Sequence, residues 1–274
     1  MSKIWFVTGS SRGFGRQFVQ AALERGDKVA ATARNTDSLA DLVAAHGAAI
    51  LPLKLDVTDK AAAFEAVTRA HEHFGRLDVV VNNAGHGLFG AVEELTEQQV
   101  RGQMETNFYG ALWVTQAALP LLRAQGRGHI VQISTVGGIV SFPNLGGYNA
   151  SKWALEGLTE ALAREVADFG IKVTLVEPAG FETDWAGSSA TFAAQLPAYD
   201  QLRAAVAAAW SEVETGDPTA TGPALLKIVD ADNPPLRVFF GTAPLHLVPQ
   251  AYAERLKTWE DWADISTQAQ GNAA

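Results

Sequence analysis

Tyr148 and Lys152 stand four residues apart in GGYNASK, and two hydroxyl residues, Ser134 and Thr135, lie side by side upstream in QISTVGG. On a helix, positions i and i+4 share a face. An ammonium beside a phenol favours the phenolate and lowers the phenol's pKa from about 10. A phenol tuned this way is a usable acid or base near neutral pH. At average residue usage, a chain of this length contains a Tyr-x-x-x-Lys by chance about every second time. The pair therefore takes its meaning from what surrounds it.

The surrounding elements alternate. β-rich runs occur at Lys3–Thr8, Lys28–Ala33, Ala49–Leu55, Asp78–Val81, His129–Ser134, Lys172–Glu177 and Arg237–Phe240. Several are continuously apolar, as strands buried on both faces of a parallel sheet are. Helical patterns lie between them, at Gly15–Arg25, Asp37–His46, Ala61–Phe74, Thr96–Leu122 and Ala150–Phe169. This rhythm predicts an α/β fold in which residues 1–274 form one domain. Its centre is a single doubly wound, mostly parallel seven-stranded sheet of Rossmann type, flanked by helices. After Glu177 the rhythm breaks. Residues 183–235 are Ala-rich and carry Trp185, Phe192, Tyr199 and Trp210. They are expected to form a helical, substrate-covering segment, or else ordinary helix packing. Residues 245–274 suggest an amphipathic helix that gives way at 266–274 to a polar, flexible tail.

The first strand runs into TGSSRGFG. Gly9, Gly13 and Gly15, with Ser11, Arg12 and Phe14 between them, form a loop that a backbone can use to approach a pyrophosphate, and a helix N-terminus follows to receive the negative charge. The spacing is G-x-x-x-G-x-G rather than the commoner G-x-G-x-x-G. The second strand ends in Ala33–Arg34 instead of an Asp or Glu that would accept from a ribose 2′-hydroxyl. A guanidinium there suits a 2′-phosphate, and Arg12 offers a second clamp, so the expected cofactor is NADP(H).

Composition narrows the classes. The chain has 274 residues, 47% of them hydrophobic, enough for a substantial core. A net charge of −9 argues against a nucleic-acid partner. There are no cysteines, and six scattered histidines show no ligand spacing, so no metal site is expected. No secretory signal or membrane-length apolar run is seen, which leads to the expectation of a cytoplasmic protein with no membrane partner.

Taken together, TGSSRGFG at 8–15, NNAG at 82–85, Asn107, the hydroxyls at 134–135 and YNASK at 148–152 resemble the short-chain dehydrogenase/reductase family, in order and in register over about two thirds of the chain. STVGG…YNASKWAL also resembles, more loosely, its steroid-dehydrogenase-like branch. The resemblance implies that Tyr148 exchanges a proton with the substrate oxygen. It implies that Lys152 lowers the pKa of Tyr148 and bonds the nicotinamide ribose, and that Asn107 holds a water on the proton path. Asp56 and Val57 would face the adenine. Asn83, Ala84 and Gly85 would line the cofactor, and Pro178, Gly180 and Thr183 would hold its nicotinamide end. A homodimer or homotetramer is implied as well. Ala179 departs from the pattern, standing where the family usually has glycine.

The resemblance also calls for a hydroxyl at the end of the fifth strand. Thirteen positions before Tyr148 lies Thr135, one residue beyond Ser134. Neighbouring strand residues point to opposite faces, so one of the two should serve, and the spacing favours Thr135. The expected substrate is a small-molecule carbonyl or alcohol in an apolar setting, for which Phe89, Val140, Phe142, Phe181 and Trp185 are the candidates, with His86 beside them. A non-catalytic NADP-sensing regulator on the same fold is the alternative, and an isomerase or dehydratase a third reading.

Overall fold

The computed structural model describes residues 2–271. Seven strands form one sheet: β1 (Ile4–Val7), β2 (Lys28–Ala33), β3 (Ile50–Lys54), β4 (Val79–Asn82), β5 (Gly128–Ile133), β6 (Ile171–Pro178) and β7 (Arg237–Phe240). Their order is β3-β2-β1-β4-β5-β6-β7, and every pairing is parallel. The expected sheet is therefore present, and fully parallel. Alternate residues of β1 show why its run is uniformly apolar. Trp5 and Val7 belong to the core on one face, while Ile4 and Phe6 belong to the core on the other.

The helices are α1 (Gly13–Glu24), α2 (Ala40–His46), α3 (Lys60–Phe74), α4 (Glu97–Met104), α5 (Gly110–Gln125), α6 (Gly146–Glu165), α7 (Asp200–Ser211), α8 (Thr221–Asp230), α9 (Pro244–Asp261) and α10 (Ala263–Ala269). Two differences from the sequence reading bear on the site. The single helix expected over Thr96–Leu122 is split into α4 and α5 by a π-turn at Glu105–Tyr109, with Asn107 inside it. Such widened turns are rare and tend to occur at functional positions. Helix α6 begins four residues earlier than expected, so Tyr148 lies in its first turn and one face carries both Tyr148 and Lys152.

The region after β6 is less uniform than expected. Thr191–Phe192 pairs in parallel with Leu88–Phe89 as a separate two-stranded ribbon. Helix α8 belongs to the core: Leu225, Ile228 and Val229 are buried with Phe18 and Val19 of α1. A Cβ at Gly222 would sit 2.7 Å from the Ala21 Cβ, which shows how closely the two helices approach. Only the earlier part of 183–235 overhangs the cleft. The expected tail is helical as far as Ala269, in keeping with the helix propensity of its Ala and Gln residues. Residues 272–274 lie outside the described residues.

Candidate active site

The strand order reverses between β1 and β4, and ligands of open α/β sheets bind at such a switch point, outside the carboxyl ends of the strands. A cleft of about 1260 Å³ opens there. At one end it is lined by Gly9, Ser11, Arg12, Gly13 and Phe14. Gly9 has φ +67°, and a Cβ on it would lie 2.9 Å from the Ala84 Cα, so only glycine fits this turn. Gly15 does not line the cleft. A Cβ there would lie 2.3 Å from the Gly9 carbonyl oxygen, so its role is to let α1 press against the loop. Asn83 fastens the loop from below: Nδ2 donates to the carbonyls of Thr8 (2.9 Å) and Gly9 (3.1 Å). Thr8 returns the link, its Oγ1 accepting from the backbone N–H groups of Asn83 and Ala84 at 2.9 and 3.0 Å. Thr8 was not singled out in the sequence, where it reads as the last residue of a strand.

No side chain caps the N-terminus of α1, and its first turn contains no acidic residue. Its free N–H groups and positive dipole end suit a phosphate. Ala33, Arg34, Asp56 and Val57 line the next part of the cleft. The Asp56 carboxylate accepts from Thr58 N (3.0 Å) and Thr58 Oγ1 (2.8 Å), which shapes the turn. Arg12, expected as a second phosphate clamp, is engaged elsewhere. Its Nη1 donates to Asp184 Oδ2 at 2.7 Å and to Ser188 Oγ at 3.0 Å. Among the described residues Arg34 pairs with no carboxylate, whereas Arg16 nearby pairs with Asp41. The donor set fits a dinucleotide phosphate, with Arg34 the cation placed at the ribose position.

At the other end, Lys152 is buried and its Nζ donates to the Ile133 carbonyl at 2.7 Å. Burial pushes its pKa down to about 8, partly opposed by the charge of Glu156. Tyr148 is buried too, and burial pushes its phenol above the ordinary value, opposed by the neighbouring Thr135 hydroxyl. This reverses the expected lowering by Lys152. Burial is the largest cause, because it disfavours the charged phenolate.

The two hydroxyls diverge. Thr135 Oγ1 lies on the Tyr148 side, donating to the Pro178 carbonyl at 3.2 Å and accepting from Gly137 N at 3.2 Å. Ser134 Oγ turns towards Glu156, and a Cβ on Gly138 would meet it at 2.7 Å. Asn107 is buried, and its side chain is taken up by protein partners. Oδ1 accepts from His86 N at 3.1 Å, and Nδ2 donates to His86 O and Ser151 Oγ, each at 3.1 Å. Ser151 in turn donates to the Tyr148 carbonyl at 2.7 Å. Ser151 and Gln103, which donates to His86 O at 2.8 Å, went unremarked in the sequence. The clue for Ser151 was its place inside YNASK.

Ala84, Gly85, Pro178, Gly180 and Thr183 also line the cleft. The alanine that replaces a usual glycine is absorbed by strand pairing: Ala179 N donates to Phe240 O at 3.0 Å, so the turn begins at Gly180. Phe142, Phe181 and Trp185 form apolar wall, joined by Trp210 of the expected covering segment and by Leu145 and Val213, which the sequence reading did not place there. Trp185 packs against Tyr148 with ring centroids 4.9 Å apart. Phe89 is set behind Trp185 at 5.3 Å and, like Val140, does not line the cleft. His86 lines it, with its pKa lowered mainly by burial.

Comparisons with known proteins agree with this geometry. The short chain dehydrogenase family profile matches residues 3–193. The chain is 41% identical to Oxidoreductase BOA17 of Botryotinia fuckeliana, covering 97% of this chain and 98% of that one. A crystal structure of a short-chain dehydrogenase from Streptomyces avermitilis superimposes with a TM-score of 0.92 at 37% identity, covering 98% of each chain. An alcohol dehydrogenase from the archaeon Thermococcus sibiricus, solved with 5-hydroxy-NADP, gives a TM-score of 0.72 at 26% identity, covering 88% of this chain and 96% of that one. The parallel sheet and its flanking helices thus have a close counterpart along nearly the whole chain. The chain belongs to the short-chain dehydrogenase family of oxidoreductases.

Proposed function

We propose that the protein is an NADP(H)-dependent carbonyl reductase or alcohol dehydrogenase acting on a mostly hydrophobic ketone, aldehyde or secondary alcohol. The observation that carries this reading is the meeting of the Tyr148 phenol, the Thr135 hydroxyl and Lys152 at one end of a cleft walled by Phe142 and Trp185. When bound, the nicotinamide supplies or takes up the hydride. The protein supplies the rest. The phosphate loop and Arg34 hold the phosphates. Thr135 and Tyr148 orient the substrate oxygen by hydrogen bonding. Burial keeps the phenol protonated, so Tyr148 is ready to donate a proton to an oxygen that becomes alkoxide, and Lys152 stands beside it to restore that proton. Trp185 and Phe142 exclude water and favour an apolar substrate body. A cytoplasmic homodimer or homotetramer completes the proposal.

Mixing the protein with NADPH and a panel of apolar carbonyls, and following loss of reduced nicotinamide, tests this directly. Tyr148→Phe should lower turnover by about 10³-fold, within the usual range for a lost general acid, while NADPH still binds. Full activity in that variant would sink the mechanism. Tight NADPH binding with no turnover on any substrate would favour a sensor.

A further inference from the structure

Behind Lys152, away from the cleft, lies a group of acids that the reaction does not use. Glu156 follows Lys152 by one turn on α6 and is 4% exposed, and Glu177, near the end of β6, is fully buried. Arg237, at the start of β7, reaches both: its Nε is 3.2 Å from Glu156 Oε2 and 3.3 Å from Glu177 Oε1. Its Nη2 also donates to Glu160 at 2.9 Å. Three carboxyl groups thus share one guanidinium. Glu160 is 41% exposed and reaches solvent. Glu156 and Glu177 cannot both ionise here, because two buried like charges side by side are too costly.

The unmet hydrogen bonds point the same way. Glu156 Oε1 and both oxygens of Glu177 find no hydrogen-bond donor, since the Arg237 contact to Glu177 is close but not aligned. Ser134 Oγ also lacks a partner, although it and Glu156 Oε1 crowd the same side of Gly138, 2.7 and 3.3 Å from where its Cβ would be. A proton on Glu177 creates the missing donor for Glu156, and a rotated Ser134 hydroxyl supplies another.

We infer that Glu156 and Glu177 hold a single proton between them, on the Glu177 side, and that the charge left on Glu156 steadies the ammonium of Lys152 from behind. The groups facing Glu156 are Lys152 and Glu160 on α6, Ser134 at the end of β5, Glu177 on β6 and Arg237 on β7. With one proton on the pair their charges cancel: Lys152 against Glu156, and Arg237 against Glu160. Burial and the neighbouring Glu156 push Glu177 up to about 8; burial also raises Glu156, opposed by Ser134, Arg237 and Lys152, and the Glu156 charge in turn opposes the fall of the Lys152 pKa. Glu156 is thus a positioning residue that acts through Lys152. Ser134, passed over by Tyr148, is the lid on this pair.

The shared proton can be tested without turnover. Infrared spectra of the wild-type protein at pH 6 should contain the carbonyl band of a buried protonated carboxyl group. That band should fade with a midpoint near pH 8 and be missing in Glu177→Gln. Lysine side-chain NMR, with the Lys152 signal identified by its loss in Lys152→Met, should show its midpoint lowered by about one pH unit in Glu156→Gln. Absence of the carboxyl band from the wild type would overturn the shared proton, whether or not any variant folds. An unchanged Lys152 midpoint in a folded Glu156→Gln protein would overturn the coupling. An inactive protein that passes both measurements would count against the reductase reading alone.

Discussion

Arg12 Nη1 donates to Asp184 Oδ2 at 2.7 Å, joining the phosphate loop to a segment 172 positions away in the chain. The arginine that sequence alone assigns to a phosphate is thus shared with the cover of the cleft. Cofactor binding and the position of residues 184–188 are thereby linked. Asp184→Ala, which leaves Arg12 without its carboxylate, is expected to tighten NADPH by up to about threefold, and Arg12→Ala to weaken it by about tenfold. Fluorescence titration of reduced cofactor checks both.

In the proposed reading, Arg34 sets the choice between NADP(H) and NAD(H). Arg34→Asp removes a charge-assisted contact worth about 1.5–3 kcal/mol and installs an acceptor for a free 2′-hydroxyl. The ratio of kcat/KM for NADPH to that for NADH should fall by about 10–100-fold. An unchanged ratio would dismiss the phosphate-clamp assignment.

Thr135 and Ser134 should separate cleanly in kinetics. Loss of a hydrogen-bond donor to a developing oxyanion costs about 10²–10³-fold. Thr135→Ala is expected in that range, with Thr135→Ser recovering most of it, and Ser134→Ala within about threefold of wild type. Steady-state kcat/KM on the best carbonyl substrate decides.

His129 makes stability fall in acid. It is buried, with Nε2 against Thr174 Oγ1 at 3.0 Å, and burial together with Lys172 and Lys3 pushes its pKa down to about 4. Between about 6.5 and 4 the unfolded chain takes up a proton that the folded chain refuses, so stability is lost as pH falls through that window. The full difference is about 3 kcal/mol. Urea denaturation at pH 7 and pH 4 should show this loss in wild type and its absence in His129→Gln, with Glu177 contributing equally to both.

Glu94 latches the cover at its far side. Its carboxylate accepts from Leu196 N at 2.7 Å, from Ala91 N at 2.8 Å and from Arg203 Nη1 at 2.5 Å. Glu94→Ala is expected to speed proteolytic nicking between residues 193 and 203 severalfold and to raise KM for substrate more than it lowers kcat. Limited proteolysis with time-resolved gels, beside kinetics, is the check.

The sheet was legible because burial on both faces leaves an unmistakable apolar run. Lys28–Ala33 and Arg237–Phe240 match the observed strands residue for residue. The cleft was legible because its backbone demands glycine at Gly9 and polar side chains at fixed points in NNAG and YNASK. The π-turn around Asn107 left no pattern, since it answers to packing and not to periodicity. The start of α6 was hidden by Gly146 and Gly147, which read as loop. The ribbon at Leu88–Phe89 is too short for a period-two signal. Glu156 and Glu177 were missed because single acids in a helix and a strand look solvated until the fold brings them together.

Besides the side-chain links of Arg12 and Glu94, the cover of the cleft is tied to the body by main chain. Thr191 N donates to Gly87 O at 2.9 Å and Ala193 N to Phe89 O at 2.8 Å, along the short parallel ribbon. Backbone bonds of this kind are indifferent to side-chain identity. Ser189 and Trp210 can therefore be exchanged without removing these backbone bonds. Substrate range and the anchoring of the cover are separately heritable traits in this architecture, and a new specificity can evolve while the ribbon stays as it is.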